Sequence, residues 1–151
     1  MQKITIIAVG SLREEYFKNA YAEYVKRISK FAKLELVLIK ETNSLKEGEE
    51  ILKQLSKFKI TQTESGKDSV YVLNIKGTEY SSEAFAENLI KDKSHLIFII
   101  GGSDGLSESV SKSGFNVSFG KLTFPHQLMR VFLVEQIYRS FKILNGHKYH
   151  K

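Results

Sequence analysis

The chain contains no cysteine and a single proline, Pro125. The first absence excludes disulfides and thiolate metal sites, and it agrees with a reducing cytosol. Internal repeats and low-complexity linkers are missing too, so one domain over residues 1–151 is expected. No apolar run approaches the ~20 residues needed to cross a bilayer. Met1-Gln2-Lys3 leads straight into an apolar stretch over residues 4–9, which reads as a strand and is too short for a secretory signal. A soluble, cytoplasmic protein with no membrane partner is the expectation. Neither G-x-x-x-x-G-K-[ST] nor G-x-G-x-x-G occurs, so phosphate-loop and dinucleotide readings lose their main support. There is no G-x-S-x-G elbow and no thiol nucleophile. His95, His126, His147 and His150 lack the spacing of a zinc or metal-hydrolase motif, and no metal site is expected. His95 reads as structural, and His126 as a capping or surface group more than as a base.

What the chain does have is core material and positive charge. Hydrophobic content is 42%, with ten Phe and seven Tyr, enough for a chain of this size to bury roughly two thirds of its unfolded surface. Twenty-three basic against seventeen acidic residues leave a net +6. Such an excess suits a polyanionic partner, though a merely soluble basic protein carries it equally well.

Strand and helix patterns alternate throughout. After the first strand, Phe17, Tyr21, Tyr24, Val25 and Ile28 recur at helical spacing, which predicts a helix over about residues 13–30 with its lysines and arginines on a solvated face. Residues 34–39 read as a second strand. Ser44-x-x-Glu47 forms a capping-box pattern that opens a helix to about Phe58, and residues 61–69 read as a loop. A third strand over residues 70–75 is ended by Lys76-Gly77. Ser81 can cap a helix to about Lys91, with Glu83 in its first turn. Residues 96–100 are apolar throughout and so belong to a central strand covered on both faces. Phe115, Val117 and Phe119 alternate as a short fifth strand. The last helix runs from about Pro125 to Leu144 and stops at Asn145-Gly146. This order predicts an α/β fold with a mainly parallel sheet flanked by helices. The last helix is apolar around more than one stripe, which predicts a second subunit as part of its cover.

Three strand ends could meet at one edge of such a sheet: Leu73 to Gly77, Ile100 to Gly102, and Phe119 to Phe124. Ligands bind there in open parallel sheets. Taken alone, the turn Gly101-Gly102-Ser103-Asp104-Gly105 is more often a tight turn than a ligand site. The tail His147-Lys148-Tyr149-His150-Lys151 interleaves basic groups with an aromatic ring; it suits phosphate contact and base stacking, or it is a frayed terminus.

Together, Ile6-Ile7-Ala8-Val9-Gly10, the stretch from Ile99 to Gly105, the run from Lys121 to Arg130, Glu135-Gln136-Ile137-Tyr138-Arg139 and the terminal Tyr149-His150-Lys151 resemble the SPOUT-class methyltransferases that modify a pseudouridine of 23S ribosomal RNA at N3. The resemblance spans the whole chain, and residues 41–68 carry little of it. It implies a C-terminal trefoil knot, a homodimer, S-adenosylmethionine as methyl donor, and 23S rRNA in the large subunit or assembled ribosome as substrate. Carried over residue by residue, it assigns donor contacts to Leu73, Gly101, Gly102, Phe119, Gly120, Lys121, Leu122, Thr123 and Phe124. Lys148, Tyr149, His150 and Lys151 are the expected RNA contacts. N3 of pseudouridine is a weakly acidic imide that must lose a proton to attack, so a base or a cation favouring the anion is needed. His150, Lys151 and Arg130 are the candidates. A non-catalytic ribosome-binding protein, or a related methyltransferase acting on tRNA, are the competing readings.

Overall fold

Residues 96–100 lie at the centre of the molecule because every one is apolar and must be covered on both sides. In the computed structural model, which describes residues 1–60 and 68–151, Leu96, Ile97, Phe98 and Ile99 have no exposed surface. They belong to β4 (His95–Ile100), one of five strands with β1 (Gln2–Val9), β2 (Ala32–Ile39), β3 (Asp68–Glu79) and β5 (Phe115–Ser118). The sheet runs β2-β1-β4-β3-β5, and every pairing is parallel.

Alternation along the strands divides the core in two. Ile4, Ile6, Leu96, Phe98, Tyr71 and Leu73 face one layer. That layer holds α1 (Glu15–Ile28), α3 (Ser82–Phe85, continued by a π-helical turn Ala86–Ile90) and α5 (His126–Leu144). Ile7, Val9, Ile97, Ile99, Val70 and Val72 face the other, with α2 (Ser44–Ser56) and the short α4 (Glu108–Ser111). Helices therefore flank an all-parallel sheet on both faces, as the alternating pattern predicts.

Several local expectations need correction. The cap of α2 is Asn43, not Ser44: Asn43 Oδ1 accepts from Lys46 N at 2.9 Å, while Glu47 Oε2 accepts from Thr42 N at 2.7 Å. The box is displaced by one residue because the extended backbone at Asn43 points its short amide into the first turn. Lys76-Gly77 does not end β3. The strand shifts register between Leu73 and Thr78 and pairs again with β5. Gly77 permits this, since a Cβ there would stand 2.5 Å from the Asn116 carbonyl carbon. Of the loop expected at 61–69, Asp68 and Ser69 belong to β3, and the remainder lies outside the described residues. Helix α4, capped by Ser107, has too few apolar residues to show in the sequence.

Helix α5 is covered by its own chain to a degree the sequence did not suggest. Val134 is wholly buried and Tyr138 is 8% exposed. Phe31 stacks on Phe141 at 5.2 Å, and Tyr24 and Tyr149 pack on Tyr138. The broad apolar surface of this helix is thus met by α1, α3 and the folded-back tail, so it does not by itself require a second subunit.

Candidate functional site

The C-terminal ends of β4, β3 and β5 lie side by side, and a cavity of about 560 Å³ opens over them. Leu73, Gly101, Gly102, Phe119, Gly120, Leu122, Thr123 and Phe124 all line it. Of the expected donor contacts only Lys121 is not among the lining residues; it is an exposed loop side chain. The wall also contains residues that sequence reasoning missed. Asn74, Ile75 and Lys76 come from the β3 bulge, Leu106 and Glu108 from the segment after the glycine turn, and His126 and Met129 from the start of α5. A glycine inside a strand pattern is a bulge signal, and Gly77 could have been read that way.

The glycines divide into two kinds. A Cβ at Gly101 would stand 2.8 Å from Leu106 Cδ2, and one at Gly102 would stand 2.8 Å from Val9 Cγ1. At these two positions the turn closes tightly against its own neighbours, Leu106 and Val9. Gly105 and Gly120 have φ of +80° and +124°, and a Cβ at either would meet nothing within 4 Å. Both line the cavity, so the open space beside them belongs to it. Gly105 N donates to Gly102 O at 3.0 Å. Gly120 N donates to Ser118 Oγ at 3.1 Å, and that hydroxyl donates to Gly120 O at 2.9 Å. Both loop conformations are thus fixed by local bonds. The lining is mixed: Leu73, Ile100 and Leu122 supply apolar wall, Asn74 supplies an amide, and Glu108 is paired with Lys112 at 2.9 Å.

Arg130 is not brought to this cavity. It is 1% exposed, and its Nη2 donates to Gly10 O at 2.6 Å and Val9 O at 3.2 Å. Burial lowers its pKa from the ordinary arginine value, with Tyr21 acting in the opposite direction. Its guanidinium ties the start of α5 to the end of β1, which is a structural post. His95 is also structural. Its Nε2 lies 2.9 Å from Thr5 Oγ1, its ring meets Phe58 edge-on, and burial depresses its pKa, assisted by Lys3.

The tail is folded back and does not line the large cavity. Tyr149 packs edge-on to Tyr138 at 4.8 Å between ring centroids, and its hydroxyl donates to Glu135 Oε1 at 3.1 Å. Arg139 grips the same oxygen through Nη2 at 2.7 Å and Nε at 3.1 Å. Burial first, then the neighbouring Tyr24 and Glu135, raise the Tyr149 pKa well above the usual tyrosine value. His150 bridges Arg139 and Glu83. Lys148 and Lys151 are exposed beside it. Glu135 in turn lines a second cavity of about 360 Å³, which shares Phe119, Gly120 and Phe124 with the first. The tail residues are therefore next to the smaller cavity.

The family described as "Predicted SPOUT methyltransferase" matches residues 2–150. The ribosomal RNA large subunit methyltransferase H of Lactobacillus helveticus is 46% identical, over 98% of this chain and 99% of the relative. The protein of the same name from Streptococcus pneumoniae is 46% identical, over 99% of each chain. A strand-end cavity, glycines that leave space within it, and likeness over nearly every residue converge on one conclusion: the chain belongs to the SPOUT methyltransferase family.

Proposed function

We propose that this protein transfers a methyl group from S-adenosylmethionine to N3 of a pseudouridine in 23S rRNA of the large ribosomal subunit or assembled ribosome. The observation that carries the donor half is the cavity of about 560 Å³ with unfilled space at Gly105 and Gly120. A flat adenine needs apolar walls, which Leu73 and Leu122 offer, and backbone that can approach closely, which the glycine loops offer. When bound, the donor supplies an electrophilic methyl group on a sulfonium. The chain's own work is to position the acceptor and to favour loss of the N3 proton. Among the tail residues His150 and Lys151 are the candidates for that role; Arg130 lines neither cavity and is buried, with Nη2 donating to the Val9 and Gly10 carbonyls.

The RNA half rests on the names carried by the relatives and on the net positive charge. No helix among the described residues is long and apolar enough to cross a membrane, and we place the protein in the cytoplasm as a single-domain, knotted chain acting as a homodimer. Half-buried apolar residues that α5 retains, Leu128 and Ile143 among them, are what supports a dimer contact. The test is transfer of labelled methyl from S-adenosylmethionine to isolated large subunits, ribosomes and tRNA, alongside calorimetric titration with the donor. Donor binding with transfer to the ribosomal substrate supports the proposal. Absence of donor binding would mean a non-catalytic ribosome binder, and transfer to tRNA alone would change the substrate.

A further inference from the structure

Gly101, Gly102 and Gly105 form part of the wall of the strand-end cavity. Beneath their turn lies a carboxylate that the proposed chemistry does not use. Glu47, in the first turn of α2, is 3% exposed. Its Oε2 accepts from Thr42 N at 2.7 Å, but its Oε1 is buried and has no hydrogen-bond partner among the described residues. An unmet buried acceptor carries the full desolvation cost of the group and calls for a reason. What lies against it is the turn: Oε1 is 3.3 Å from the position a Cβ would take at Gly102.

The rest of the α2 start is fitted to the same loop. Ser103 Oγ donates to Glu41 Oε1 at 3.2 Å, and Arg13 Nη2 donates to Glu41 Oε2 at 3.1 Å. A Cβ at Gly48 would run into Ser107 Oγ, the hydroxyl that caps α4 by accepting from Val110 N at 3.3 Å. Residues 41–48 therefore support the loop at Gly102, Ser103 and Ser107 together. The loop has hydrogens to offer in return. Gly105 N donates to Gly102 O at 3.0 Å, whereas the N–H groups of Ser103 and Asp104 meet no acceptor among the described residues. Unused donors thus follow Gly102 directly in the chain, and the unused acceptor lies against it.

We infer that Glu47 is a positioning residue for the methyl donor: its Oε1 receives the N–H of Ser103 or Asp104 when the donor is bound, and this fixes Gly102 and Gly105 against the ligand. The inference rests on the donor reading of the larger cavity. Glu47 lines neither cavity, so it acts through the turn and does not touch the donor. A bond made only in the loaded state adds its own free energy to donor binding.

Glu47→Gln tests this with little change of volume. Thr42 N needs an oxygen, so the new carbonyl goes to it and the amide Nε2 turns toward Gly102, where donor faces donor. The measurements are amide hydrogen exchange of the full chain by NMR, with and without saturating S-adenosylmethionine, and calorimetric donor affinity. In the parent protein the donor should shift Leu73 and Gly120 and newly protect the N–H of Ser103 or Asp104. In Glu47→Gln the shifts at Leu73 and Gly120 should persist at saturation, the new protection should vanish, and affinity should fall about tenfold or more, the scale of one hydrogen bond to a charged group. Parent shifts at Leu73 and Gly120 without new protection in the turn would overturn the inference, as would parent affinity in the folded variant. If the variant does not fold, the exchange measurement on the parent protein decides alone. Absence of any donor shift in the parent would overturn the donor reading, and this inference with it.

Discussion

Arg139 Nη1 lies 3.0 Å from His150 Nδ1. An arginine has only donors, so Nδ1 is the accepting nitrogen and Nε2 carries the ring hydrogen toward Glu83. The Glu83 carboxyl is held below the usual glutamate range, first by its bond to His150. One guanidinium, itself gripped by Glu135, thus selects the tautomer and orientation of the tail imidazole.

Arg139→Leu should release that ring. Nitrogen NMR should show the Nε2–H tautomer in the parent protein and averaged tautomers in the variant. Methyl transfer on ribosomes should fall about 10-fold to 100-fold, the scale of a misplaced reacting group, with donor affinity within a few-fold. Removing residues 149–151 should cost about 100-fold or more in transfer. It should also lower stability by about 1 kcal/mol through the lost Tyr138–Tyr149 pair. Full-rate transfer by the truncated chain would reduce the tail to a structural strap.

Substitution along the glycine turn should separate ligand effects from folding effects. Gly120→Ala places a methyl in open cavity space and strains a left-handed backbone by about 1–2 kcal/mol. Calorimetry should show donor affinity at least tenfold weaker in a folded protein. Gly101→Ala should instead lower the melting temperature, because its Cβ meets Leu106, and Leu106→Ala should restore much of the loss. Unchanged donor affinity in folded Gly120→Ala would remove that loop from the site.

Val134→Asp should abolish folding outright, with no folded monomer as an intermediate outcome. Val134 has no exposed surface, and an unpaired charge there costs about 3–5 kcal/mol, comparable with the stability of a small domain. Circular dichroism of the variant should show an unfolded chain, while light scattering of the parent protein at micromolar concentration should show a dimer. A parent monomer would contradict the proposed assembly, and a folded Val134→Asp monomer would return this residue to an interface.

Acid should weaken the fold through His95. Its pKa is lowered on folding from the ordinary 6.5, so the native state resists a proton that the unfolded chain accepts. The stabilisation is complete above pH ~6.5 and is lost as pH falls through the folded value. Melting temperatures measured from pH 7.5 to 5 should decline less in His95→Asn than in the parent. Parallel declines would remove His95 as a source of the pH dependence.

Sequence periodicity conveyed the sheet well because the determining signal is local. The unbroken run Leu96 to Ile100 can satisfy itself only between two layers, and it does. Most residues lining the strand-end cavity were legible too, since they lie near the ends of strand patterns. The β3 bulge was not, because Lys76-Gly77 looks like a stop until β5 is seen passing 2.5 Å from the Gly77 Cβ position. The surroundings of Arg130 and Gly101 were hidden for a related reason: Gly10 O and Leu106 are partners that sequence spacing does not reveal. The excess apolar surface of α5 was legible, but its cover by the folded-back tail depends on long-range contacts such as Tyr138 with Tyr149.

The most direct measurement is mass mapping of 23S rRNA from cells with and without this protein, followed by incubation of the deficient ribosomes with purified protein and S-adenosylmethionine. The fragment bearing one pseudouridine should be a single methyl lighter in the deficient cells, and the purified protein should restore that methyl at N3. Identical fragment masses in the two rRNAs would contradict the proposed reaction.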